Sequence, residues 1–260
     1  ELWRIIGVFD VASTEGGALE KRLKIIRNEG IGGSLWDNKP LGVGSSDSEY
    51  GSNDWTDSAL MEVLNNGHYW KRTIGLCPSG QNGATKNCDF SNTGLTEESK
   101  KLIGDAVWNL GGTINEKNDT IKKYYEYERG TAVYEGRTTI WTGKIGLLYP
   151  SDFGYATSGG STTSRNECLN IRVGSSGWCA SSYSDCYSNN YLYSTTTYWS
   201  ITPLSYNSSG VMDIHNAGCI SGSRNNVIGN MYIRPTIYLK STVIITGGDG
   251  SSTNPYTLGI

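Results

Sequence analysis

The chain has 260 residues, of which 34 are glycine and only 18% are charged, and its formal net charge is -3. A slightly acidic chain lacks the excess of Lys and Arg that binding to a phosphate backbone requires, so we expect no nucleic-acid partner. No apolar run reaches the roughly 18 to 20 residues of a membrane-spanning helix, and we expect no membrane span in this sequence. The length suits one large domain or two small ones.

The first half of the sequence predicts a pair of strands followed by helices. Residues 2–9 and 19–28 are rich in apolar and β-branched residues, which predicts two antiparallel strands. A polar loop rich in glycine and asparagine is predicted over 30–53. Apolar residues spaced three and four apart then predict helices over 53–67 and 96–111, with glycines after each helix as stop signals.

The second half predicts mainly strands. A further helical or mixed segment is predicted over 119–130, after which clusters of glycine, serine and asparagine separate short extended segments. The predicted strands cover 138–142, 144–149, 197–202, 227–234 and 236–245, with a last one at 256–258. Because no internal repeat and no convincing linker interrupts this series, the sequence predicts one α+β domain over residues 1–260. The chain starts inside a strand-like segment without a leader, so we expect it to be a fragment of a longer precursor.

Six cysteines, an even number, lie at 77, 88, 168, 179, 186 and 219. None forms a C-x-x-C pair, so the spacing of zinc knuckles and thioredoxin-type sites is missing. The even count and the low charge favour disulfides in an extracellular or cell-surface protein over buried free thiols. Many pairings remain open, although a Cys77–Cys88 bridge would close a short polar loop and stabilise the fold by roughly 3 kcal/mol.

Several segments, taken together, resemble a family of bacterial surface domains of unknown function. They are residues 2–9, 53–55, 108–112, 143–156, 199–203, 233–239 and 250–256, and they include the motifs Trp-Arg-Ile-Ile-Gly, Gly-Lys-Ile-Gly-Leu-Leu-Tyr-Pro-Ser-Asp and Arg-Pro-Thr-Ile-Tyr-Leu. Such domains often follow a prepilin-like or lipoprotein-type segment. The resemblance implies a C-type-lectin-like fold, in which the terminal strands pair and disulfides hold long loops. It also implies the pairs Cys168–Cys186 and Cys179–Cys219, and it implies no reaction.

Catalytic signals are sparse in this sequence. The chain has only two histidines, His68 and His215, and it contains no G-x-S-x-G, H-E-x-x-H or P-loop motif. His68 follows a predicted helix end, where a cation interacts favourably with the helix dipole. We therefore predict a non-catalytic domain. An enzyme, the less favoured alternative, would need a cleft in which His215 or Asp213 meets a partner carboxylate or a free thiol.

An acidic segment supplies candidate metal ligands. Its oxygen donors, of the kind that calcium prefers, are Asp47, Glu49, Asn53, Asp54 and Asp57. The spacing is not that of an EF-hand, and Asp54 is also the predicted N-cap of a helix. We therefore favour a solvated acidic loop, with a calcium ion as the alternative, and we expect no other cofactor. Asp249, between glycines, is predicted to form a turn.

The segment over residues 181–200 is the most informative for function, because 16 of its 20 residues are Ser, Tyr, Thr or Asn. Antibody paratopes use a similar set, in which rigid amphipathic rings supply area and small polar residues supply hydrogen bonds. We predict an exposed, adhesin-like face that binds a glycan or a protein. The residues predicted to contact the ligand are Trp178, Tyr183, Tyr187, Tyr191 and Tyr193. The alternatives are a loop packed on the core and a pilin-like or cell-wall subunit whose surface serves assembly.

Overall fold

The computed structural model describes residues 1–39, 51–114, 118–174, 177–223 and 230–260. The strands in these ranges are β1 (Trp3–Ala12), β2 (Leu19–Arg27), β3 (Gly33–Ser34), β4 (Ile74–Pro78), β5 (Thr85–Asp89), β6 (Ala106–Asn109), β7 (Ile140–Gly143), β8 (Ile145–Gly146), β9 (Tyr198–Pro203), β10 (Val211–Ile214), β11 (Ile220–Ser223), β12 (Met231–Tyr232), β13 (Thr236–Tyr238), β14 (Ile244–Gly247) and β15 (Thr257–Gly259). The helices are α1 (Ala59–Asn65), α2 (His68–Lys71), α3 (Glu97–Leu102), α4 (Ile121–Glu128), α5 (Pro150–Tyr155), α6 (Arg165–Asn170) and α7 (Ser184–Ser188), and 3-10 turns cover Trp55–Asp57 and Ser181–Tyr183. The predicted α+β class is confirmed.

The first sheet has four antiparallel strands in the order β1-β2-β13-β8. The predicted strand pair is confirmed, since β1 and β2 pair from Trp3–Arg27 to Ala12–Leu19. Strand β2 lies between β1 and β13, and both Ile25 and Ile26 are buried, so both faces of its second half are covered.

The second sheet has the order β11-β10-β9-β12-β3, and only the β12–β9 pair is parallel. All six residues of β9 are buried, as is typical of a strand covered on both faces. Three two-stranded units complete the described strands: β4–β5, β6–β7 and β14–β15.

Two apolar clusters form the core. The first lies between the two sheets and contains the fully buried rings of Trp36, Trp55 and Trp108. The second contains Phe153 and Trp178 and is built largely from α4, α5, α6 and the second sheet. The second cluster therefore lies beneath the tyrosine-rich segment.

The helix predicted over 96–111 is wrong in its second half. Thr96 caps α3 by accepting a hydrogen bond from the Ser99 amide, as its position predicts, but the helix ends at Leu102. Residues Ala106–Asn109 instead form β6, in which Ala106 and Trp108 are buried at alternate positions. Residues two apart share a face in a strand, whereas the helix was predicted from apolar residues three and four apart. The pairing of β6 with β7 decides for the strand.

Other predicted elements are present in shortened form. The helix over 53–67 is divided into a 3-10 turn and α1, because Ser58 accepts a hydrogen bond from Met61 N and starts a new helix. The segment over 119–130 forms α4, as predicted. The strand over 236–245 is split into β13 and β14, and that over 227–234 retains only β12 among the described residues.

Four short helices, α2, α5, α6 and α7, were not predicted. The signals for two of them are nevertheless in the sequence. Pro150 opens α5, where the Asp152 carboxylate accepts a hydrogen bond from Tyr149 N. Ser164 and Glu167 form the reciprocal capping box of α6.

The terminal strands do not pair with each other in the described residues. Strand β1 pairs with β2, and β15 pairs with β14. The strand pairing expected from the family resemblance is therefore wrong for this chain. The C-terminal hairpin β14–β15 instead lies beside the start of β1 and leaves a cavity between them.

Candidate functional site

All six cysteines form disulfides. Cys77–Cys88 joins β4 to β5, and Cys168–Cys186 joins α6 to α7. Cys179, just before the tyrosine-rich segment 181–200, is bonded to Cys219 in the turn after β10. The three pairs agree with those expected from the short loop and from the family resemblance, and the chain has no free thiol. Three disulfides are typical of an oxidising, extracellular-type compartment.

Trp178 is fully buried, so its predicted place on an exposed face is wrong. Its indole Nε1 donates a hydrogen bond to the Cys168 carbonyl oxygen at 2.9 Å, and its ring centroid lies 6.0 Å from that of Phe153. A large amphipathic ring next to a disulfide packs well when its one polar atom finds a backbone partner. Trp178 therefore belongs to the second core cluster and cannot contact a ligand at the surface.

Tyr187 and Tyr193 both border the turn at 215–219. Tyr187 is half-buried against Gly218, where an added Cβ would lie only 2.4 Å from the Tyr187 Cβ. Gly218 has a φ of 77°, so both its conformation and its close contact favour glycine. Tyr193 is exposed, and its hydroxyl donates to the Asn216 carbonyl oxygen at 3.1 Å. Tyr183 is half-buried and packs against the second core cluster.

Tyr191 points to a different part of the molecule. Its side chain is 43% exposed, and its hydroxyl lies 3.3 Å from the Ile6 carbonyl oxygen of β1. The Tyr191 carbonyl oxygen accepts a hydrogen bond from Arg4 Nη1. Partial burial raises the pKa of the Tyr191 hydroxyl, which therefore stays protonated as a hydrogen-bond donor at neutral pH. Tyr191 and Tyr193 thus flank the buried Leu192 and contact different segments, so the predicted tyrosines do not form one continuous face.

A cavity of about 840 Å³ lies where Tyr191 meets the two ends of the chain. The start of β1, the segment around α3 and the C-terminal hairpin form its walls. We call this cavity the Tyr191 groove, and the residues that matter for its chemistry are Trp3, Arg4, Asn28, Tyr191 and Tyr256. Its volume falls within the roughly 300 to 1,000 Å³ typical of small-molecule sites.

The groove combines aromatic rings with polar groups. The rings of Trp3, Tyr191 and Tyr256 line it, and Arg4 Nε donates to Asn28 Oδ1 at 2.5 Å. Sequence reasoning found only Tyr191 among these residues. Trp3, Arg4 and Asn28 lie within or beside predicted strands, and Tyr256 begins the last one. Nothing local indicates that segments from opposite ends of the chain meet.

Asp213, His215 and His68 each have a structural partner among the described residues. Asp213 is buried in β10 and accepts a hydrogen bond from Ser221 Oγ at 2.8 Å, and its burial raises the pKa of its carboxyl to about 7. His215 is exposed, and its Nδ1 lies 3.3 Å from the Ala217 amide nitrogen. His68 follows α1 and starts α2, with Nδ1 3.1 Å from Thr73 Oγ1.

The acidic residues considered as calcium ligands have structural partners where the structure describes them. The Asn53 amide group donates to three backbone carbonyls, Asp54 caps the 3-10 turn, and Asp57 pairs with Lys39 at 2.9 Å. Asp47 and Glu49 lie outside the described residues. Within the described ranges, no group of three or more His, Cys, Asp or Glu side chains could hold a metal ion. Asp249 accepts a hydrogen bond from Ser251 N, as a turn residue does.

Across the described segments, no helix is both long and apolar enough to cross a bilayer. No family model matches the chain, and no curated protein or solved structure is significantly similar to it.

Proposed function

We propose that the chain is a non-catalytic, secreted or cell-surface domain that binds a glycan in the Tyr191 groove, as an adhesin does. The observation that carries this proposal is the exposed ring of Tyr191 at the wall of an approximately 840 Å³ cavity that two further rings also line. A pocket with aromatic walls and a few polar groups is the usual form of a small-ligand site.

The chemistry of the groove suits a sugar. A pyranose ring presents C–H groups on its faces and hydroxyls around its edge. Flat amphipathic rings such as Tyr191 and Tyr256 cover such a face, and their hydroxyls remain available as polar groups. Arg4 and Asn28 at the same cavity supply donors and acceptors for sugar hydroxyls.

The proposed compartment and architecture rest on separate observations. Three disulfides favour an oxidising environment such as the cell exterior. A C-type-lectin-like architecture is favoured by antiparallel sheets, short helices and disulfide-held loops, and opposed by the separate pairing of the terminal strands.

A glycan array probed with the purified domain tests the proposal. On the strongest glycan ligand, Tyr191→Ala should weaken binding by roughly fivefold, because one stacking ring is worth about 1 kcal/mol. Tyr191→Phe, which keeps the ring, should retain most of the affinity. Tyr232→Ala is the matched control, because Tyr232 is 44% exposed but lies outside the groove.

The outcomes separate this proposal from its alternatives. If Tyr191→Ala binds glycan normally and Tyr193→Ala loses glycan binding, the binding site lies at the turn over residues 215–219 and not in the Tyr191 groove. If the domain binds proteins but no glycan, the ligand is a protein and the glycan proposal is wrong. Thermal melting of each variant must match that of the unsubstituted domain, so that lost binding is not lost folding.

A structural assembly subunit is the second candidate, favoured by one observation. Strand β1 lies at the edge of the first sheet, and Val8 and Leu19 in its hairpin are 60% and 69% exposed. An exposed edge strand with apolar side chains is a template for pairing with another chain. Sedimentation over a wide concentration range distinguishes the candidates, since a domain that remains monomeric throughout would count against assembly.

A further inference from the structure

A lysine and an aspartate form an ion pair in the interior. Lys24, on β2, places Nζ 2.5 Å from Oδ2 of Asp152 in the first turn of α5. The two side chains are 0% and 2% exposed, and 128 positions separate them in the sequence. Two charges removed from water in this way carry a desolvation cost that their mutual attraction offsets only partly.

Aromatic rings enclose the amine. Lys24 Nζ lies 4.0 Å from the ring centroid of Tyr149, 5.3 Å from that of Trp108, 5.4 Å from that of Tyr238 and 5.6 Å from that of Phe9. Burial lowers the pKa of the Lys24 ammonium, and the Asp152 carboxylate opposes that effect. A lysine desolvated in an aromatic pocket is the form in which its neutral amine becomes a nucleophile.

The carboxyl side of the pair is also held in place. Asp152 Oδ2 accepts a hydrogen bond from the Tyr149 amide at 2.9 Å, so its orientation toward Lys24 is fixed by the backbone. The next residue toward the N-terminus, Ser151, donates through its amide (2.9 Å) and its hydroxyl to Glu128, which is fully buried. Burial raises the pKa of Glu128 to about 7, and the charge of Asp152 acts in the same direction. A second buried carboxyl that can hold or release a proton therefore interacts electrostatically with the pair.

We propose that Lys24 and Asp152 join spontaneously in an isopeptide bond between Nζ and Cγ. A proton first passes from the ammonium to the carboxylate, giving a neutral amine and a neutral acid. The nitrogen lone pair then attacks Cγ, and Oδ1 gains the negative charge. The Tyr149 amide keeps its hydrogen bond to Oδ2, the oxygen that has taken the proton and departs as hydroxyl. One proton moves from nitrogen to the departing hydroxyl, with Glu128 assigned as its carrier. The C–O bond breaks, one water leaves, and no oxidant or cofactor is needed.

The bond would connect parts of the chain that the disulfides leave separate. The first disulfide begins at Cys77, so no disulfide joins the first 76 residues to the rest of the chain. An amide from β2 to α5 would tie the first sheet to the second core cluster. It would also replace two buried charges by one neutral group in an environment that excludes water.

Mass spectrometry of the unsubstituted protein tests the proposal directly. After the disulfides are reduced and all six cysteines alkylated, the chain should be one water lighter than the mass calculated for the alkylated sequence. Trypsin should not cleave after Lys24, and it should release residues 23–27 joined to residues 145–165 as one branched peptide. Sequencing of that peptide distinguishes the bond from water loss at another carboxyl.

The protein contains its own control. Lys21 and Asp10 form an ion pair at 3.2 Å on the surface, with side chains 77% and 56% exposed, and this pair should stay unlinked and open to trypsin. Asp152→Asn should form the same amide with loss of ammonia instead of water, and Asp152→Ala should form none. Glu128→Gln should leave the pair unreacted in a folded domain. A branched peptide in that variant would overturn the role of Glu128.

The unsubstituted protein alone can refute the proposed isopeptide bond. If the reduced and alkylated, unsubstituted protein shows no loss of water and trypsin cleaves it after Lys24, the pair is a permanent ion pair held by the surrounding rings. That result would leave the proposed glycan site unaffected, because the groove and this pair are tested by separate measurements.

Discussion

Replacing Asp213 by Asn should make the protein more stable above neutral pH and change its stability little in acid. Asp213 is 2% exposed, and the one hydrogen bond described for its carboxyl comes from Ser221 Oγ at 2.8 Å. Burial raises the pKa of the carboxyl from 3.8 to about 7. The side chain of Asn has nearly the same shape, keeps an oxygen that can accept from Ser221, and does not titrate.

The sign and size of the effect follow from linkage. A carboxyl whose pKa is higher in the folded chain binds more protons when folded, so its contribution is most favourable below pH 3.8 and is lost as pH rises toward 7. This difference of roughly 3 in the pKa of Asp213 corresponds to about 4 kcal/mol of free energy. The difference in unfolding free energy between Asp213→Asn and the unsubstituted protein should therefore grow by up to about 4 kcal/mol across this interval and stay constant outside it.

Urea denaturation at a series of pH values measures this difference. Because other carboxyls titrate equally in both proteins, comparing the two curves isolates Asp213. Asp10→Asn is the control, since Asp10 is exposed on β1 and should give a difference within about 0.5 kcal/mol at every pH. Parallel curves for Asp213→Asn and the unsubstituted protein would show that Asp213 is ionised in the fold at no cost, and would refute the argument from burial.

Two further changes test the second core cluster. Trp178→Phe removes the indole hydrogen bond to Cys168 and should destabilise the domain by about 1 to 2 kcal/mol in urea while glycan binding is unchanged; weakened binding would contradict its assignment to the core. Replacing both Cys168 and Cys186 by Ser opens a loop of 18 residues and should cost about 3 kcal/mol or more, because the new hydroxyls would be buried. The matched change at Cys77 and Cys88 should cost less, since Cys88 is only half-buried, and an equal loss would show that burial adds nothing.

The sequence predicts the elements of the fold better than their extents, and 96–111 shows why. Capping at Thr96 is a local signal, and the structure confirms it. The end of α3 depends on distant contacts, because Ile103 bridges to Leu239 and an added Cβ on Gly104 would lie 2.3 Å from the Arg22 guanidinium. The spacing of apolar residues contains no information about such distant partners. The helix predicted from that spacing therefore continued through residues that form a strand.

Strand β2 gives a second example of this limit. Arg22, Lys24 and Ile26 share one face of β2, and all three are buried. Alternation of apolar and charged residues predicts that the charged face meets solvent, since charges are seldom buried without partners. The partners come from far along the chain: Arg22 donates to the carbonyls of Leu239, Tyr238 and Asp105, and Lys24 meets Asp152. The buried ionic pair was therefore invisible to sequence reasoning.

The candidate site was found only in part, because composition identifies a segment but not the direction of its side chains. Leu192 decides that direction. Its side chain is buried in the second core cluster, and its carbonyl oxygen accepts hydrogen bonds from Arg234 Nη1 at 2.8 Å and from the Tyr198 hydroxyl at 3.0 Å. With Leu192 held inward from both sides, its neighbours Tyr191 and Tyr193 are directed outward at different surfaces. Since Arg234 and Tyr198 are themselves buried, the backbone beside Tyr191 is held in place without a ligand, and less backbone entropy would be lost on the proposed binding.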